Sequence, residues 1–95
     1  MKEVKISDVK FSAASPAEIE TGHLGYVSVV LNGALRLDGL AVRRTADGRF
    51  TLSFPARRDA SGQQHYYLRP LDDAARRDIE FQVFRALGLK EAMTR

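Results

Sequence analysis

Cysteine and tryptophan are absent from this chain of 95 residues, and proline and histidine are scarce, at three and two. Without cysteine there is no disulfide and no thiolate nucleophile or ligand, which accords with a reducing cytoplasm. The two histidines, His23 and His65, stand at no metal-ligand spacing from each other. A lone histidine in or beside a strand is more often a hydrogen-bonded structural group than a catalyst. The adjacent carboxylates Asp72 and Asp73 read as helix caps rather than as an acid–base pair. Gly22, Gly25, Gly33 and Gly39 are scattered and form no phosphate loop ahead of a helix. No catalytic residue, metal or cofactor is therefore expected. The opening MKEVKISDVK lacks the apolar core of a signal peptide, and no apolar run approaches the ~20 residues of a membrane helix. The expectation is a cytoplasmic protein with no membrane partner.

What the chain does have is a globular balance, with 44% apolar and 28% charged residues, in a length suited to one domain over 1–95. Its charge is lopsided. Residues 1–39 carry four basic and five acidic side chains, net −1; residues 40–95 carry eleven basic and seven acidic ones, net +4. The excess is almost all arginine, whose planar fork suits bidentate contact with phosphate. The bland reading is a solvated surface.

The organising stretch is Leu40–Arg58, LAVRRTADGRFTLSFPARR. Two β-prone runs flank Asp47-Gly48, a dipeptide that tolerates the positive φ of a hairpin turn. Leu40 and Val42 share a face before it; Phe50, Leu52 and Phe54 alternate with Thr51 and Ser53 after it. Pro55 has no N–H for a ladder, so pairing should stop there.

Upstream, Val4, Ile6, Val9 and Phe11 form a first strand whose apolar phase flips near Ser7-Asp8, the mark of a bulge. Residues 13–22 read as a surface connection with one helical turn. His23–Leu31 is apolar on both sides over much of its length and predicts a central strand covered on each face. Asn32-Gly33 signals a type I′ turn, Ala34–Leu37 returns, and Gly39 bends the strand into Leu40. Downstream, 57–63 reads as a polar loop and His65–Arg69 as a short strand closed by Pro70. The period turns helical after Asp72, with Ala75, Ile79, Val83, Ala86 and Leu87 on one stripe and Gly88 as a C-cap. Residues 89–95 are expected to fray. The fold class predicted is α+β: an antiparallel meander with one C-terminal helix packed on it.

Phe81 and Phe84 fall away from the helical stripe. Two phenylalanines on a second face of so small a chain point to a partner surface, most economically another copy, so both are assigned to a homodimer interface. The alternative is that loop 12–22 folds over them. Tyr66 or Tyr67 is a candidate to stack on a base, although packed tyrosines are commoner in strands.

From Val4 to about Gly88 the order of features resembles the stage V sporulation protein G (SpoVG) family. The residues that carry the resemblance are Ile6-Ser7-Asp8-Val9, Gly48 with Leu52-Ser-Phe-Pro55, Arg57-Arg58, Gly62, Pro70-Leu71 and the helix ending Arg85-Ala-Leu-Gly88. Phe54, Ala56 and Tyr66 depart from the family pattern. The resemblance implies a dimeric bacterial regulator of septation, sporulation or gene expression, with members that bind DNA or RNA through basic residues toward the C-terminal region. On matching positions it nominates Arg57, Arg58, Arg76 and Arg77 as contacts to nucleic-acid backbone. The competing expectation is a module that binds division or sporulation proteins, its arginines merely solubilising. No reader helix or zinc finger appears, so base-specific readout is not expected.

Overall fold

Alternating apolar residues give the chain its strands, and Pro55 divides them into two groups. A computed structural model describes residues 3–89 and contains β1 (Ile6–Ala13), α1 (Pro16–Glu20), β2 (His23–Leu31), β3 (Leu35–Arg44), β4 (Phe50–Ser53), β5 (Ala56–Arg58), β6 (Gln64–Tyr66) and α2 (Asp73–Leu87). Strands β1-β2-β3-β4 form an antiparallel meander in that spatial order, and β5 and β6 form a separate two-stranded hairpin.

The turns follow from their residues. Asn32 and Gly33 take φ of 52° and 66°, both positive as a type I′ turn requires, and the Ala34 N–H bonds the Leu31 carbonyl at 2.9 Å. The turn before β4 is wider than the Asp47-Gly48 dipeptide implies. Thr45 N–H bonds the Arg49 carbonyl, Gly48 N–H bonds the Thr45 carbonyl, and only Gly48 is left-handed, at 87°. This is a type I turn followed by a glycine bulge. The β5–β6 turn repeats it: Asp59 N–H bonds Gln63, Gly62 N–H bonds Asp59, and Gly62 sits at 86°.

The expected bulge at Ser7-Asp8 is present, with the register shifting between Ser7 and Lys10 and Asp8 at φ 46°. Gly39, at 82°, lies in a second shift that sets Val27 and Val29 against Leu40 and Leu37. Short α1 carries a capping box: Ser15 and Glu18 bond each other's backbone N–H.

One face of the sheet is buried. Val27, Val29, Leu40, Val42, Leu52 and Phe54 meet Ile79, Val83 and Phe84 of α2. Strand β2 is central but covered on one side only, because Tyr26 on its other face is 50% exposed. Its two-sided apolar composition has a local cause: the irregularity between His23 and Gly25 lets Leu24 pack against the core out of alternation.

Helix α2 also closes both edges of the sheet with side chains. At β1, the Gln82 amide accepts the Ile6 N–H at 2.8 Å and donates to the Val4 carbonyl at 2.7 Å. At β4, Glu80 accepts the Leu52 N–H at 3.1 Å and Arg76 at 3.3 Å, while Arg76 reaches the Leu52 carbonyl at 3.5 Å. Edge groups that water or another chain would otherwise satisfy are thus bonded from within. Asp72 caps the helix by accepting the Ala75 N–H, and Gly88 ends it in the left-handed region at φ 74°.

Four sequence expectations change here. The strand expected over His65–Arg69 spans only Gln64–Tyr66. Residues 57–58 belong to a strand rather than a loop. Ala86 of the predicted stripe is exposed. Leu89 is not frayed: its N–H bonds the Phe84 carbonyl and its side chain packs on the core. The remainder of the expected frayed tail lies outside the described residues.

Candidate nucleic-acid interface

Four arginines were nominated, and their surroundings differ. Arg57 and Arg58 are exposed on β5, where Arg57 stands opposite His65 and Arg58 opposite Gln64. Cross-strand partners share a face, so the two guanidinium groups leave the hairpin on opposite sides. Arg58 donates to the Gly62 carbonyl at 2.9 Å, across the turn, which steadies its stem and keeps its charge at the surface.

The hairpin turn is held by Asp59. Its Oδ1 accepts the backbone N–H groups of Ser61 and Gln63 and the Ser61 hydroxyl, and its Oδ2 lies 2.8 Å from His65 Nε2. These bonds, His65 first, pull the carboxyl from its ordinary 3.8 to about 2.

The segment after β6 brings a further arginine, outside the motifs of the sequence. Arg69 places its guanidinium 5.7 Å from the centroid of the Tyr66 ring, a cation–π contact. Tyr66 is 46% exposed, Tyr67 69%. The available signal was the run Tyr66-Tyr67-Leu68-Arg69, aromatic and cation close together in sequence, of which only Tyr66 lies in β6. Tyr66 and Arg69 also line a cleft of about 280 Å³ with Phe54, Asp72, Asp73 and Arg76, where the base of the hairpin meets the start of α2.

Arg76 is the most occupied of the four. It lines this cleft, yet its guanidinium bonds Glu80 and the Leu52 carbonyl, so it braces the β4 edge. Arg77 is outside the cleft and pairs with Asp73 at 3.5 Å; both side chains are about four-fifths exposed. An exposed pair of this kind is worth only ~0.3–0.5 kcal/mol, so Arg77 exchanges that partner readily. The structure therefore puts Arg57 and Arg58 on the hairpin, Arg69 in the segment that follows β6, Arg76 at the hairpin's base and Arg77 farther along the helix.

The two phenylalanines separate. Phe81 is 60% exposed, with the Arg85 guanidinium 5.9 Å from its ring. Phe84 is only 6% exposed and packs on Phe50 at 5.9 Å between centroids, so it is a core residue and not part of a partner surface. Loop 12–22 is not what covers it; the end of β4 is.

No group of three metal-ligating side chains is assembled among the described residues, and none of their helices is long and apolar enough to cross a membrane. No family model matches the chain, and no curated protein matches it.

Proposed function

We propose that this chain binds the backbone of DNA or RNA with little sequence preference, as a cytoplasmic homodimer. The resemblance to SpoVG supplies the setting, a bacterial regulator of septation, sporulation or gene expression. The observation that supports the binding reading is the β5–β6 hairpin, which carries exposed Arg57, Arg58 and Tyr66 and is followed directly by exposed Tyr67 and by Arg69, stacked on Tyr66. A two-stranded ribbon is narrow enough to follow a groove, and arginine forks suit phosphate. Exposed Phe81 is the contact assigned to the second copy, which would double the cationic surface.

Titration with labelled DNA and RNA at two salt concentrations tests this. Affinity is expected to fall steeply with salt, by about 0.7 to 0.9 log units per log unit of salt for each phosphate engaged. The double variant Arg57→Ala/Arg58→Ala is expected to lower that slope by about two and weaken binding at least tenfold. Binding that is absent at low salt, or indifferent to salt, sinks the reading.

A second reading is a module for division or sporulation proteins. It is favoured by Leu71, 87% exposed, beside exposed Leu68 and Tyr67. Loss of nucleic-acid binding in the arginine variant, with assembly state unchanged, decides for the first.

A further inference from the structure

Resting on the nucleic-acid reading above, we infer that the uncovered face of the four-stranded sheet is a platform for single-stranded nucleic acid, with Tyr26 stacking on an unpaired base. Ser12, Tyr26, Ala41 and Ser53 are successive cross-strand partners and form one row across all four strands. The tyrosine is half exposed at the centre of that row, and its neighbours are too small to cover its ring. His23 meets it edge-on at 4.9 Å between centroids and holds its orientation.

The charges fit a polyanion. Lys10 lies one alternation from Ser12, and Arg43 one from Ala41, so cations flank the ring diagonally on two sides. Arg43 donates to His23 Nδ1 at 3.2 Å, and among the described residues neither cation is in an ion pair. The carboxylates of this face have other partners: Asp8 pairs with Arg36 and only feels the Lys10 charge, and Asp38 accepts the Ser28 hydroxyl at 2.7 Å. An aromatic ring between unpaired cations on a rigid sheet recognises a base and its two flanking phosphates. A duplex hides its base faces and gains nothing from the ring.

Anisotropy titration with labelled oligouridine and with a duplex of matched length tests the platform. Tyr26→Ala is expected to weaken oligouridine binding about tenfold and leave duplex binding unchanged, while Tyr26→Phe retains both. Lys10→Gln with Arg43→Gln is expected to lower the oligouridine salt slope by about 1.4, and this pair carries the test if Tyr26→Ala fails to fold. Equal oligouridine affinity with and without the ring, or an unchanged slope in the paired variant, overturns the platform and leaves the hairpin arginines standing. Wild-type protein that binds neither probe overturns both readings. A Tyr26→Ala protein that changes from dimer to monomer in sedimentation overturns the platform in favour of a contact between copies.

Discussion

The four-stranded sheet and the β5–β6 hairpin use opposite means to hold the same kind of strand. The sheet side buries six apolar residues against three of α2, and Gln82, Glu80 and Arg76 bond backbone groups at its edges. The hairpin contributes nothing to that core, and its shape rests on one turn, two short strands and the bonds of Asp59. Isolated two-stranded hairpins are marginal in water. The sheet is thus a frame, built from side chains that face inward. The hairpin is a carrier, built so that arginine and tyrosine face outward. On the hairpin, where burial is least, Arg57 and Arg58 stay exposed to solvent.

That contrast is open to attack at several points. Leu40→Ala removes a wholly buried side chain from the frame and is expected to cost about 3 kcal/mol in urea denaturation. A loss under 1 kcal/mol would mean the core is not where stability resides. Gln82→Ala leaves Ile6 N–H and Val4 C=O without their partner, at an expected cost of about 1–2 kcal/mol. Hydrogen exchange at Ile6 should rise with it; unchanged protection would show the edge bond to be incidental. Arg57→Ala, on the carrier, is expected to move stability by no more than about 0.5 kcal/mol. Phe81→Ser is likewise expected to leave stability nearly untouched while shifting sedimentation toward monomer, and an unchanged dimer relocates the interface. The smallest effect is at the turn. The Asp59 carboxyl is depressed in the folded hairpin, so its contribution is present above 3.8 and is lost as pH falls through about 2. Carboxyl resonances should titrate in that window with the hairpin amides following, and Asp59→Asn should abolish the step.

Most of the frame was legible in the sequence because its signals are local. Alternation in Phe50–Phe54, the Asn32-Gly33 pair, the phase flip at Ser7-Asp8 and the aspartate before the helix each act within a few residues. What escaped depends on who packs against whom. Phe84 lies off the stripe drawn through Ile79 and Val83, yet it is buried because Phe50 lies beneath it. The second face of β2 looked covered because Leu24 and Val30 are apolar, whereas the register turns Leu24 inward and leaves Tyr26 in the open. At the candidate interface the Arg57-Arg58 pair was visible, but not its strand pairing with His65 and Gln64. Arg76 was a phosphate candidate through its match to the family pattern, whereas the structure pairs it with Glu80 at 3.3 Å. Its attachment to Leu52, 24 residues earlier, is a long-range fact that no spacing rule carries.

The Gln82 amide joins residues 76 and 78 positions upstream of it. A chain emerging from the ribosome therefore exposes its opening strand before the group that bonds its edge is made, since α2 leaves the exit tunnel after β1. During that interval the raw flank of β1 is open to any extended peptide nearby. Synthesis of the last helix is the event that closes the sheet.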